Sequence, residues 1–129
     1  MAIMTHKSLK VWQNAIRFVV DIYRITQSFS DEEKYGITSQ MCRAAVSIPS
    51  NIAEEYGRLY EKEIIRFLYI ALESASELET LLIVSSELKF IDELKFDELK
   101  DKNIEIIKML SGLIRSIDNK NDSKDKEIL

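Results

Sequence analysis

The chain has 129 residues, 46% apolar and 31% charged, a balance that fits one globular domain and neither a disordered chain nor a membrane protein. Three Gly and one Pro are too few for the turns of a sandwich or barrel, and a single Cys, Cys42, excludes an intrachain disulfide and any multi-Cys zinc site. The formal charge of -4 divides unevenly: residues 1–58 carry 7 basic and 6 acidic groups, residues 59–129 carry 11 and 16. A pI near 5.1 argues against a general nucleic-acid binder but leaves room for a local basic face. No apolar run approaches the ~18 residues that span a bilayer, and the N-terminus lacks the apolar stretch of a signal peptide, so a cytoplasmic location without membrane contact is expected.

Four segments carry a helical period, which predicts an all-α chain. The first runs from Ser8, a plausible N-cap, to Gln27. Leu9, Trp12, Ile16, Val19 and Tyr23 share one face, and Val11, Ala15, Phe18, Ile22 and Ile25 form a second lane beside it. After a connection in which Ser30-Asp31-Glu32-Glu33 reads as a capping box, the second helix is expected from Ile37 to Tyr56. Its core stripe is Ile37, Met41, Ala44, Ala45, Ile48 and Ile52. Pro49 removes one amide and crowds the Ala45 carbonyl, but the stripe keeps its phase across it, so one kinked helix is expected rather than two.

The third segment, Glu61 to Leu88, has the clearest stripe: Ile64, Leu68, Ala71, Ala75, Leu78 and Leu82. Apolar residues flank it on both sides, leaving a narrow polar strip that includes Lys62, Arg66, Tyr69, Glu73, Ser76, Thr80 and Glu87. A bundle helix needs an apolar face of only about 100° or a little more, so this width points to contacts beyond the chain's own bundle. Lanes such as Val11, Phe18, Ile22 or Ile65, Leu72, Ile83 would otherwise be left partly in water. A fourth helix begins near Asp92 or Asp97, either of which could cap it, and is defined by Ile106, Leu110, Leu113 and Ile117 with Ile107 and Ile114 alongside. From Asp118 to Leu129 the chain is too polar to bury its backbone and is expected to be a disordered tail. Residues 1–117 are therefore read as one antiparallel up-down-up-down four-helix bundle.

Chemistry has few starting points. The only His, His6, precedes the first helix, so the paired Glu-x-x-His motifs of a carboxylate-bridged metal site are absent, and Cys42 reads as a partly buried small side chain. No Gly-rich phosphate loop exists. Neither an enzyme activity, a cofactor, a metal nor a small-molecule substrate is expected. Ser47, Asn51 and Glu54 on the second helix, with Ser74 and Glu77 on the third, lie near the apolar faces and are read as a structural polar network fixing helix register, with Arg43 as a further partner for Glu77. Lys10, Arg17 and Arg24 recur every seven residues along one face, with Lys7 close to it; they are the candidates for RNA contact, weighed against a plain solvated face.

The motifs Leu9-x-Val11-Trp12, Tyr35-Gly36-Ile37-Thr38-Ser39-Gln40, the run from Arg43 through Ser47-Ile48-Pro49-Ser50-Asn51-Ile52-Ala53-Glu54, and Phe67-Leu68-Tyr69-Ile70-Ala71 continuing through Ser74 to Glu77-Leu78-Glu79 resemble one family: the four-helix-bundle proteins encoded in intervening sequences of bacterial 23S rRNA genes. The resemblance covers about residues 6–117. It implies a homopentamer with a role near ribosomal RNA, and it extends to the accessory variability determinant proteins of diversity-generating retroelements, whose strongly basic surface this chain lacks. Glu55 and Glu73 stand where that family usually has Gly, and Cys42 where Arg is frequent. Glu55 falls in phase with the core stripe, so either the second helix ends before it or its carboxylate reaches the rim. The expected function is a noncatalytic oligomeric scaffold or accessory protein with weak RNA contact; the alternative is an adaptor ring that binds another protein and no nucleic acid.

Overall fold

The computed structural model describes residues 9–55, 58 and 60–128, with side chains described as far as Asn119. Four helices account for most of it: α1 (Lys10–Thr26), α2 (Ile37–Glu55), α3 (Glu61–Glu87) and α4 (Glu93–Ile128), with no strand among the described residues. Each helix packs on its neighbours in a ring of four: α1 on α2, α2 on α3, α3 on α4, and α4 back on α1. The α2–α3 interface is the most extensive and α1–α4 the least, while the diagonal pairs make no backbone contact among the described residues. Contacts across α2 and α3 run in opposite chain order, Met41 meeting Ser85 and Ser47 meeting Ser74. Those across α1 and α4 do the same, Asn14 meeting Met109 and Asp21 meeting Lys102. This is a four-helix bundle.

The core follows the predicted stripes of α2 and α3 closely: Met41, Ala44, Ala45, Ile48 and Ile52 are buried against Leu68, Ala71, Ala75, Leu78 and Leu82. In α1 the two apolar lanes separate. Val11, Ala15, Phe18 and Ile22 are buried, so this lane is not left in water as the excess-width argument allowed; in the other lane Leu9, Trp12 and Val19 are half-buried while Ile16 and Tyr23 are exposed. Ile65 and Leu72 of α3 are likewise packed against the core, and only Ile83 of that lane is open. Both α1 lanes are equally apolar in sequence, and burial is decided by which of them points at α2 and α4.

Several ends differ from the sequence reading. The N-cap of α1 is Leu9 rather than Ser8, without a side-chain cap. Ser30 precedes a single 3-10 turn, Asp31–Glu33, and makes no side-chain cap bond, because three residues offer no helical turn for a capping box to close. Pro49 lies inside α2, which runs as one helix from Ile37 to Glu55. Of the two possible caps for α4, Asp92 is used: its Oδ1 accepts the Lys95 amide at 2.7 Å. α3 stops by a Schellman turn, in which the Phe90 amide reaches the Ser85 carbonyl at 2.8 Å and the Lys89 amide reaches Ser86, with Lys89 in the left-handed region at φ 64°. The backbone of α4 stays helical through Ile128, well past Ile117, the last of its residues packed on the core. No Gly or Pro interrupts it after Gly112, so no residue type forces a stop there.

Candidate functional site

The α2–α3 seam holds a small polar cluster. Ser74 Oγ donates to the Ile70 carbonyl at 3.0 Å and lies 2.8 Å from Ser47 Oγ, while Asn51 Nδ2 donates to the Ser47 carbonyl at 2.7 Å and to its Oγ at 3.0 Å. Ala44, Ala45, Ala71 and Ala75 flank it in the core. The small side chains let the helices come close enough for two serines to meet directly. Of the predicted network the structure thus joins Ser47, Asn51 and Ser74. Glu54 instead pairs with Arg58 at 3.0 Å on the surface, four residues on and past the end of α2, and Glu77 is exposed. With Gln40 and Arg43, Glu77 lines an open cleft that the two serines also border. The sequence lanes drift around a long helix, and the roughly 60° around the axis between Ser74 and Glu77 separates seam from solvent.

The α1–α4 seam is different in kind. There the helices leave a groove of about 550 Å³, lined on the α1 side by Lys10, Arg17 and Arg24 and on the α4 side by Lys102 and Glu105, with Phe18 and Ile106 at its floor. The three sequence-predicted cations therefore do share one surface feature. Lys7, the fourth candidate, lies outside the described residues. Arg17 bonds to Asn14, one turn back, and Asn14 also reaches Met109 Sδ at 3.5 Å. Lys102 was not singled out from the sequence, because its position depends on how α4 meets α1. It bridges Asp21 of α1 at 2.8 Å and Glu98 of its own helix at 3.3 Å. The hydrogen bond to Asp21 outweighs partial burial and holds the Lys102 ammonium above the usual lysine range, while Lys95 and Lys102 together hold the Glu98 carboxyl below its own.

Two outer faces keep apolar groups in water. On α1 they are Ile16, Val20 and Tyr23, and Val20, 42% exposed, sits on the side of the helix away from the core. On α3 they are Tyr69, Ile83 and Val84. The apolar width of α3 that the sequence showed thus divides into a buried inner face and an exposed outer one.

Two buried polar groups stand apart from both seams. Asn103 is fully buried; its Nδ2 donates to the Ala75 carbonyl at 2.8 Å, tying α4 to α3, and its Oδ1 has no partner. Sequence reading missed it, since a lone Asn in an apolar register gives no signal until its partner helix is placed. Glu55 is the last residue of α2 and is only 7% exposed, so the helix does not end before it and the carboxylate does not reach the rim. Burial pushes its carboxyl up to about 7. Cys42 is half-buried beside Thr26, Sγ 3.6 Å from Oγ1. Among the described residues, no group of three His, Cys, Asp or Glu side chains is placed to hold a metal, and no helix is long and apolar enough to cross a membrane.

Comparison with known proteins adds a family. No curated protein matches the chain. Among solved structures, it is similar to the crystal structure of a protein of unknown function from the S23 ribosomal protein family of Bacteroides thetaiotaomicron VPI-5482, at 26% sequence identity and a TM-score of 0.76, over 81% of this chain and 95% of that one. The family model of the 23S rRNA-intervening sequence proteins matches residues 7–112, which takes in α1, α2, α3 and the packed part of α4 as far as Gly112. By that match, the chain belongs to the 23S rRNA-intervening sequence protein family.

Proposed function

We propose that the chain acts as a noncatalytic scaffold that associates with copies of itself, in the ring of five that the family resemblance implies, and makes weak contact with RNA through its α1 face. The observation that carries the reading is the pair of apolar strips left open on α1 and α3, which a soluble monomer would have to keep in water. Light scattering across a size-exclusion peak should give several times 15.0 kDa; a monomer at micromolar concentration refutes self-association.

RNA contact is supported by the gathering of Lys10, Arg17 and Arg24 along one groove, with Lys7 proposed as a helper. It should be weak and salt-sensitive, because the chain is net acidic and each neutralised phosphate contributes a log-log salt slope of about -0.7 on single strands. Repetition of the groove around an oligomer would raise a poor single contact by avidity. The test is titration of an rRNA fragment at several salt concentrations against the parent and a Lys10→Glu, Arg17→Glu, Arg24→Glu variant. Equal binding by both removes the face, and no binding at low salt turns the reading to the adaptor ring.

A further inference from the structure

Charges that form no ion pair among the described residues occur on every helix, and those of α1 and of the C-terminal two thirds of α3 are opposite in sign. On α1, Lys10 and Arg24 form no ion pair among the described residues and Arg17 bonds only to a neutral amide, while the one acid of the helix, Asp21, is taken by Lys102. Along α3, from Phe67 to Leu88, there is no Lys or Arg at all; Glu73, Glu77 and Glu87 are exposed and unpaired among the described residues. On α4, Lys95, Lys100 and Lys102 are each engaged by an acid of their own or the adjacent helix, while Lys108 and Arg115, further along, form no ion pair among the described residues. Both unpaired sets border exposed apolar side chains, Ile16, Val20 and Tyr23 on α1, Tyr69, Ile83 and Val84 on α3. Their lengths also match. Lys10 to Arg24 and Glu73 to Glu87 cover the same number of residues, about 21 Å of helix each at 1.5 Å per residue.

α1 and α3 occupy diagonal corners of the bundle, both packed on α2 and α4 and not on each other, so their outer faces point to opposite sides of the molecule. We infer that the outer face of α1 docks on the outer face of α3 of a second copy, apolar strip on apolar strip, with Lys10, Arg17 and Arg24 against Glu73, Glu77 and Glu87. This rests on the self-association proposed above and specifies its interface. The contact is heterologous: a copy that spends its α1 on one neighbour still offers its α3 to the next, which builds a closed ring or an open filament according to the rotation per step. In the assembled state it commits the basic lane to protein, so docking competes with the RNA contact proposed above, and the avidity of a repeated groove applies only where the lane is left uncovered.

The interface is tested by charge exchange. An Arg17→Glu, Arg24→Glu variant, a Glu73→Lys, Glu77→Lys variant and the fourfold exchange in one chain are compared with the parent by light scattering, with helical content checked by circular dichroism. All four positions are exposed, so the fold should hold. Like charges placed across a docked face repel and suppress docking. Each double variant should therefore fall to 15.0 kDa, while the fourfold exchange, which restores opposite charge at every junction of the ring, should return to the assembled mass. Doubles that stay assembled, or an exchange that does not restore assembly once both doubles have lost it, overturn the pairing and leave self-association standing. A monomeric parent overturns self-association itself. RNA that binds the parent through Lys10, Arg17 and Arg24 without lowering its assembled mass shows those cations to be free, and overturns the assignment.

Discussion

The two seams that close the bundle on either side of α2 and α4 solve the same problem with different residues. Between α2 and α3 alanines and serines stand among larger core side chains such as Ile48 and Leu78, Ser47 meets Ser74 directly, and the polar atoms at the seam, Ser47, Asn51 and Ser74, are bonded to one another. Between α1 and α4 the contact rests on Phe18 and Ile106, a groove remains, and the polar link is a single bridge from Asp21 to Lys102 with partly exposed ends. Close packing makes a seam that supports the fold and turns its polar atoms on one another, leaving only an outer cleft. Loose packing leaves charge and apolar surface accessible, and that is the seam where interaction with another molecule can begin.

The contrast is broken most forcefully by cavity formation. Ile48 is buried on the close seam, and Ile48→Ala should cost about 2–5 kcal/mol in denaturant unfolding. Lys102→Ala, which removes the bridge of the open seam, should cost less than about 1 kcal/mol, and less again in high salt. Equal losses would mean that the two seams bear the fold alike.

Glu55 gives the next effect, through pH. Its carboxyl titrates near 7 when folded and near 4.5 when unfolded, so between those values the folded chain holds a proton that the unfolded chain has released. Stability should fall as pH rises through that window, by up to about 3 kcal/mol, and level off above it. Glu55→Gln should flatten this slope, raising the melting temperature at pH 8 and changing it little at pH 5. A parent whose stability is level from pH 5 to pH 8 would show that the carboxyl is solvated. The smallest comparison lies within the predicted polar network. Ser74→Ala should cost about 1 kcal/mol, whereas Glu77→Ala should stay within about 0.5 kcal/mol, not the 1–3 kcal/mol that a buried network member would lose.

How far the sequence carries depends on whether a feature lives on one helix or between two. The α3 stripe is legible because Ile64, Leu68, Ala71, Ala75, Leu78 and Leu82 repeat without a competing lane, and all but half-buried Ile64 are buried. In α1 two apolar lanes compete, and only the placement of α2 and α4 chooses Phe18 and Ile22 over Ile16 and Tyr23. The lane of Lys10, Arg17 and Arg24 is legible as a lane, yet its groove is not, because the far wall comes from Lys102 and Glu105. Ser47, Asn51 and Ser74 could be nominated as polar residues at the edge of apolar faces. Glu77 was nominated by the same logic and lies outside, since periodicity alone does not fix how far around a helix the neighbour reaches. Glu55 defied both readings offered for it: it remains helical and is buried, at the cost of a perturbed carboxyl.

At the end of the bundle where α1 turns into α2 and α3 into α4, the rings of Phe29 and Phe90 stand 5.2 Å apart, tilted by 52°. Each belongs to the connection of a different helix pair. The pairs α1–α2 and α3–α4 are therefore held together at this end by side chains, and by the covalent chain only at the other, where α2 passes into α3. In terms of assembly the molecule is a heterodimer of helix pairs written in one polypeptide. The close α2–α3 seam is the natural recognition surface between its halves, and a chain divided between α2 and α3 would carry, in its two fragments, the complete set of contacts by which they could find each other again.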